Sequence, residues 1–268
     1  MGGSISFDRA AEIYDRTRVT DPAALVDTID MLERELGDRS RQGSSRSGKG
    51  PVLEIGVGTG ALALPLRQRG VEVVGVDLSP AMLARLRSKA SEPPPVVVGD
   101  ATRLPFAIDA FAGAFARWVL HLIPAWPDAV AELCRVVAHG GVIVVEPGGY
   151  RGEWLDIWKQ IDHELHGAAK HVGLDVHEHG FAELDEAFAR HGARPRELPP
   201  IHAASTWTLA LFFEEARARA FSWTWRVQEG ELLRGIDAVE VWARERYGDE
   251  LGRVAGDIEM NWRAYDLI

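Results

Sequence analysis

The segment Val52-Leu-Glu-Ile-Gly-Val-Gly-Thr-Gly60 restricts the fold of this chain more than any other segment. Its first four residues are typical of a buried strand, and the glycines after them lead into a helical stretch. Glycines lack the Cβ atoms that keep a ligand away from the backbone, and the free N–H groups of a helix start bind polar ligand atoms. The segment therefore predicts a strand followed by a nucleotide-binding turn.

The pattern that begins at this turn predicts the fold class. From Pro51 onward, short apolar runs alternate with helical stretches, which indicates a parallel sheet covered by helices on both faces. The overall prediction is an α/β fold with a doubly wound, Rossmann-like, mostly parallel sheet of about seven strands, the last one antiparallel. The predicted strands are Val52–Ile55, Val71–Val76, Val96–Val98, Ala112–Ala116 and Val142–Val145, and the helices between them are Ala61–Arg69, Ser79–Lys89 and Trp126–Val137.

The chain divides into three predicted parts. Residues 1–49 contain two predicted helices, the second beginning near Asp21-Pro22, and a Ser- and Gly-rich linker from Asp38 to Gly50. Residues 50–147 form the binding core, with the ligand at the carboxyl ends of the strands. Residues 148–268 are predicted to add a helical cover and two final strands of the same sheet. Those helices are predicted at 154–165, Phe181–Arg190, Leu209–Ala220 and Glu229–Tyr247, and those strands near Arg196–Ile201 and Glu259–Leu267.

Acidic residues at three strand ends narrow the ligand chemistry. Asp77 can accept hydrogen bonds from both hydroxyls of a ribose, and Asp100 can accept one from an adenine amino group. Glu54 precedes the first glycine, where it can hold a cationic amino group and would repel a pyrophosphate. The pattern Gly56-x-Gly58-x-x-Ala61 also fits a dinucleotide fingerprint, so a nicotinamide oxidoreductase remains an alternative.

With these motifs in order, the sequence resembles the class I S-adenosylmethionine-dependent methyltransferases, and within them the ubiquinone and menaquinone biosynthesis group, methyltransferase type 11. The resemblance runs through LEIGVGTG, VVGVDLSPAML, VVVGDATRLPF and ARWVLHLIPAWPDAVAELCRVVAHGGVIVVEP, and it covers roughly residues 50–147. The opening FDRAAEIYDRTR resembles the N-terminal lid helix of that family.

The resemblance implies S-adenosyl-L-methionine as cofactor, S-adenosyl-L-homocysteine as product, and a set of binding residues. Glu54 and the glycines would line the methionine part, and Asp77 would bind the ribose. Arg117 and Trp118, after the fourth strand, would face the sulfonium and the carboxylate, and Tyr14 and Arg18 would close over the carboxylate from the lid. The implied set is Glu54, Gly56, Gly58, Gly60, Asp77, Leu78, Met82, Asp100, Ala101, Arg117, Trp118, Tyr14 and Arg18.

Histidines supply one candidate catalytic residue and no predicted metal site. Methyl transfer from a sulfonium is an in-line displacement, which needs a base only when the acceptor atom carries a proton, and His121 at the end of the fourth strand is the candidate. The alternative for His121 is a residue that shapes the pocket or caps a helix. The pairs His163-x-x-His166 and His177-x-His179 lack cysteine partners and are interpreted as solvated.

Composition bounds the partners. The chain has 30 Lys and Arg against 40 Asp and Glu, and this net charge of −10 disfavours nucleic acid. Its one cysteine, Cys134, and the lack of a long apolar run predict a soluble, cytoplasmic protein with no membrane contact, monomeric or homodimeric. The expected acceptor is a small molecule of unidentified structure, and O-, N-, C- and S-methylation stay open. The alternatives are methylation of RNA or protein, and a non-catalytic cofactor-binding protein of the same fold.

Overall fold

The computed structural model describes residues 5–17, 21–40, 50–148, 152–167, 173–174, 181–204, 208–248, 251 and 258–268. The strands within these residues are β1 Val52–Ile55, β2 Val73–Asp77, β3 Val96–Val98, β4 Phe111–Arg117, β5 Val137–Glu146, β6 Ala193–Glu197, β7 Ile201–Ala203, β8 Ile258–Met260 and β9 Arg263–Leu267. Seven of them form one sheet in the order β3-β2-β1-β4-β5-β9-β6, and β7 pairs with β8 in a second, two-stranded sheet.

The strand directions confirm the predicted doubly wound sheet. β1 is parallel to β2 on one side and to β4 on the other, and β3 and β5 continue the parallel pairing outward. β9, the last strand in the chain, is antiparallel to both β5 and β6. The winding reverses between β1 and β4, so a crevice for a ligand is expected at their carboxyl ends.

Helices flank the strands much as the sequence predicts, and local capping explains where two of them begin. Pro80 occupies the first turn of helix α4, Pro80–Ser88, and the Ser79 hydroxyl before it accepts a 3.1 Å hydrogen bond from the Met82 N–H. Asp21, just before helix α2, Pro22–Ser40, accepts a 3.0 Å hydrogen bond from the Ala23 N–H. The helices are α1 Tyr14–Thr17, α2 Pro22–Ser40, α3 Ala63–Gln68, α4 Pro80–Ser88, α5 Trp126–Val136, α6 Gly152–Glu164, α7 Ala182–Ala189, α8 Leu209–Arg217 and α9 Glu229–Tyr247.

Three apolar clusters hold these elements together. Alternate residues of the central strands enter opposite cores, as Phe115 and Ala114 of β4 do. A third cluster joins α6, α8 and α9, where the rings of Trp158 and Trp223 meet edge to face with centroids 5.6 Å apart. Both tryptophans are buried core residues.

The two predicted final strands were wrong in their extents. The predicted strand Arg196–Ile201 covers the end of β6 and the start of β7. These are two separate strands because Pro199 and Pro200, between them, lack the N–H groups that strand pairing needs. The predicted strand Glu259–Leu267 divides into β8, in the small sheet, and β9, in the large one. Trp262 lies at this division and is buried in the core at 2% exposure.

The predicted linker also begins too early, because α2 continues to Ser40. Its remaining part, residues 41–49, lies outside the described residues. Among the residues described, no helix is both long enough and apolar enough to cross a membrane.

Candidate functional site

The glycine turn after β1 has the backbone that its sequence predicts. Gly56, Gly58 and Gly60 have φ angles of +67°, +53° and +84°, a region that residues with side chains rarely adopt. A Cβ at Gly56 would lie 2.7 Å from Val119 Cγ2, whereas one at Gly58 would meet nothing closer than Met82 Cε at 3.4 Å. Gly56 is thus required by packing inside the protein, and the buried Gly58 by its positive φ.

The carboxylate of Asp77, at the end of β2, is joined to this turn. Its Oδ2 accepts a 2.8 Å hydrogen bond from the Gly58 N–H, and its Oδ1 accepts one of the same length from the Ser79 N–H. Burial raises the pKa of this carboxyl, against the lowering effect of both bonds. Each oxygen keeps a lone pair, so Asp77 can still accept from two hydroxyls. Leu78 beside it is partly exposed, and Met82 is buried below.

Asp100 lies at the end of the next strand outward. Its Oδ1 accepts from the N–H and the hydroxyl of Thr102, both at 2.9 Å, and the Gly99 N–H bonds the Asp77 carbonyl at 3.0 Å. Asp100 and Ala101 are both partly exposed. Glu54, Asp77 and Asp100 therefore follow three adjacent strands along one edge of the sheet, as the sequence predicts.

A buried charge cluster, which we define as Glu54, Arg117 and Glu146, occupies the ends of β1, β4 and β5. Arg117 and Glu146 are register partners across β4 and β5. Burial raises the pKa of Glu54 well above its usual range and that of Glu146 to about 7, although the charge of Arg117 opposes both shifts. Burial also lowers the pKa of Arg117. Among the described residues, Glu54 Oε2, Glu146 Oε2 and Arg117 Nε have no hydrogen-bond partner.

Trp118 and His121 lie beside this cluster. Trp118 has a φ of +54°, uncommon for a residue with a side chain, and its ring lies 4.0 Å from Arg117 Cζ. A Cβ at Gly148 would lie 3.5 Å from Trp118 Cδ1 and 3.7 Å from His121 Nδ1. His121 thus lies beside Gly148, two residues after Glu146, and its role as a base stays a prediction.

The N-terminal segment contacts the core at the glycine turn. Asp15 of α1 accepts hydrogen bonds from the Thr59 hydroxyl at 2.5 Å, from Lys89 Nζ at 2.8 Å and from Arg85 Nε at 3.1 Å. Tyr14 is close enough to Arg117 to influence its pKa. Arg18, the other predicted lid residue, lies outside the described residues.

Sequence reasoning missed three residues of this region. Asp15 was not singled out within the lid motif, nor was Asp8, whose Oδ1 accepts from the Ser79 hydroxyl at 2.6 Å and from the Ala81 N–H at 3.1 Å. Glu146 was missed although its pattern resembles that of Glu54, an acid that ends an apolar strand just before a glycine-containing turn. That repeated pattern is the signal that could have identified it.

Over the part of the chain that the structure describes, no group of three His, Cys, Asp or Glu residues is arranged to hold a metal ion. His177 and His179, one of the histidine pairs weighed from the sequence, lie outside that part.

The sheet order, the glycine turn and the acids at successive strand ends define a Rossmann-like α/β protein with a candidate ligand site at this edge of the sheet. Residues 53–145 match the family model described as "Methyltransferase domain", so the chain contains a methyltransferase domain. This match confirms the family resemblance that the motifs indicated.

Individual relatives agree with the family match. The chain is 34% identical over 208 residues to malonyl-[acyl-carrier protein] O-methyltransferase from Halorhodospira halophila, covering 72% of this chain and 66% of that protein. It is 40% identical over 99 residues to demethylmenaquinone methyltransferase from Thermus thermophilus, covering 35% and 45%. The chain thus spans just under two thirds of the first relative and less than half of the second.

A solved structure shares the fold over most of the chain. Geranyl diphosphate C-methyltransferase from Streptomyces coelicolor A3(2), in complex with Mg²⁺, geranyl diphosphate and S-adenosyl-L-homocysteine, is similar with a TM-score of 0.50 at 18% identity. The similarity covers 91% of this chain and 78% of that one.

Proposed function

We propose that this chain is an S-adenosylmethionine-dependent methyltransferase that acts on a small-molecule acceptor. The observation that carries the proposal is the hydrogen bond that joins the Gly58 turn to the Asp77 carboxylate, with Glu54 near the end of the strand on one side and Asp100 just after the strand on the other. The relatives named as methyltransferases of malonyl-[acyl-carrier protein] and of demethylmenaquinone support this reaction class.

The residues at the sheet edge fit the proposed cofactor. Glu54 is 4% exposed and its Oε2 lacks a partner among the described residues, which suits a cationic amino group better than a phosphate. Asp77 has lone pairs left for two ribose hydroxyls, and Asp100 Oδ2 is placed for an adenine amino group. The proposed contacts are Glu54, Gly56, Gly58, Gly60, Asp77, Leu78, Met82, Asp100, Ala101, Arg117, Trp118 and Tyr14, with Arg18 added from the sequence alone.

When bound, the sulfonium supplies an electrophilic methyl group, and the protein's own contribution is alignment and the exclusion of water. Correct alignment alone can lower a barrier by about 7–11 kcal/mol. The hydrogen bonds of Asp77 to Gly58 and Ser79 hold the turn in place, and the N-terminal segment, held on the turn by Asp15, excludes water from above. We further propose that residues 148–268 shape the acceptor site and that residues 1–49 act as a lid.

The partners and location follow from charge and composition. A net charge of −10 supports a small acceptor over nucleic acid, and the unpaired Cys134 supports a reducing compartment such as the cytoplasm.

The first experiment is calorimetric titration of the whole protein with S-adenosylhomocysteine and, separately, with NAD. We expect binding of S-adenosylhomocysteine alone. Preferential binding of NAD would overturn the proposed cofactor in favour of an oxidoreductase. Binding of S-adenosylhomocysteine without methylation of any compound in a broad acceptor screen would favour a non-catalytic binding protein instead.

A further inference from the structure

We infer that Glu146 forms part of the acceptor subsite, and that this subsite takes a group that donates a hydrogen bond, a hydroxyl or an amine, in preference to a carboxylate. The inference rests on the proposed function and specifies the class of acceptor.

The strand order places Glu146 on the far side of Arg117 from the nucleoside site. The proposed cofactor contacts run along the edge from Asp100 after β3, through Asp77 on β2, to Glu54 on β1. β4 with Arg117 comes next, and β5 with Glu146 lies beyond it. A molecule that receives a methyl group from the β1–β4 crevice must approach from beyond the reacting end of the cofactor, where Glu146 stands.

The Glu146 carboxyl itself has an open position for a ligand. It is 4% exposed, its Oε1 accepts a 3.1 Å hydrogen bond from the Gly148 N–H, and its Oε2 has no partner among the described residues. A buried polar atom without a partner costs about 1–3 kcal/mol, so such atoms are rare unless something fills the position. The Trp118 side chain also forms a hydrogen bond with this carboxyl, and both Trp118 and His121 lie beside Gly148.

Charge decides which acceptor suits this space. The buried charge cluster holds two carboxyls and one guanidinium, and the guanidinium lies over the Trp118 ring at 4.0 Å. The Glu146 pKa of about 7 leaves this carboxyl largely ionised at pH 8.5, where an acceptor carboxylate would bring a further negative charge against it and could give its Oε2 no proton. A hydroxyl or an amine satisfies that oxygen directly.

The position of Glu146 also allows it to accept the proton that such an acceptor loses. Methylation forms a bond from the methyl carbon to the acceptor oxygen or nitrogen and breaks the carbon–sulfur bond, whose electron pair stays on sulfur. The acceptor atom then releases its proton, and Glu146 Oε2 is the oxygen placed to receive it.

The test measures binding of matched probes to the whole protein saturated with S-adenosylhomocysteine, with saturation established by calorimetry for each variant. The probes are p-cresol, p-toluidine and p-toluate, which share one ring and differ in the polar group. Ligand-observed NMR titrations at pH 8.5 give their affinities for the unchanged protein, for Glu146→Leu and for the control Glu186→Leu, which changes an exposed glutamate paired with Arg190.

We expect the unchanged protein and Glu186→Leu to bind p-cresol and p-toluidine about tenfold more tightly than p-toluate, and Glu146→Leu to lose that preference. Binding of p-toluate at least as tight as that of p-cresol, absence of p-cresol binding, or a preference that survives in Glu146→Leu would each overturn the inference. Failure of S-adenosylhomocysteine to bind the unchanged protein would instead overturn the proposed function, so the two failures are distinct.

Discussion

The Gly58 N–H donates a 2.8 Å hydrogen bond to the Asp77 carboxylate, and this bond joins the turn after β1 to the end of β2. Because the Ser79 N–H binds the other carboxylate oxygen, Asp77 orders both the glycine turn and the start of α4. One side chain thus fixes two pieces of backbone and also faces the proposed ribose.

Asp77→Ala should weaken S-adenosylhomocysteine binding at least about tenfold. It removes the proposed ribose acceptor, and a hydrogen bond to a charged group is worth about 1.5–3 kcal/mol. Asp77→Asn, which keeps one acceptor oxygen, should lose less. Calorimetry measures both, with the exposed Asp128→Ala as a control, and unchanged affinity in Asp77→Ala would contradict the assigned role.

Asp15→Ala should loosen the N-terminal segment and speed the release of S-adenosylhomocysteine several-fold. Asp15 holds Thr59, Arg85 and Lys89 together across the turn, and its loss leaves the segment without these polar contacts. Stopped-flow displacement measures the dissociation rate. The matched control is Asp30→Ala, which breaks an ion pair with Arg69 away from the turn and should leave the rate unchanged. Equal rates in the two variants would argue against a lid held by Asp15.

Gly56→Ala should destabilise the fold more than Gly70→Ala. Both glycines have positive φ, +67° and +83°, so each substitution carries a backbone cost of about 1–2 kcal/mol. A Cβ at Gly56 additionally meets Val119 Cγ2 at 2.7 Å, whereas one at Gly70 meets nothing within 4 Å. Overpacking adds about 1–3 kcal/mol. Urea unfolding compares the two, and equal losses would show that Val119 moves aside freely.

Glu146→Gln should change how stability depends on pH. Burial raises the Glu146 pKa from an ordinary 4.5 to about 7, because the fold accommodates the protonated carboxyl better than the ionised one. The contribution of this group to the stability of the fold is therefore fully present below pH 4.5 and is lost as the pH rises through 7. Glutamine stays neutral, so across that pH interval the variant should become more stable relative to the unchanged protein, by up to about 3 kcal/mol. Urea unfolding at several pH values measures the gain.

The exposed Glu186→Gln is the control for this comparison, and its stability should follow that of the unchanged protein at every pH. If Glu146→Gln also ran parallel to the unchanged protein, Glu146 would not be the buried acid with a raised pKa that its surroundings indicate.

Local patterns were enough to predict most of the central strands. The glycine turn, the positions of Glu54, Asp77 and Asp100 near strand ends, and the helix start at Asp21-Pro22 were predicted correctly because each depends on neighbouring residues, while the binding roles of these acids stay predictions. Strand ends near Pro199 and Trp262 were predicted less well, since the choice between the two sheets depends on strands distant in sequence.

The amino-acid sequence by itself determined the order of strands and helices and which residues stand at the strand ends, because hydrophobic period and turn chemistry act over a few residues. Only the tertiary structure decided that Arg117 and Glu146 become register partners, and that Asp15 meets Thr59 and Lys89, 44 and 74 residues further on. The physical reason is that sheet order and the docking of distant segments depend on the packing of the whole chain. The same packing buries Glu146 and gives an ordinary glutamate its raised pKa.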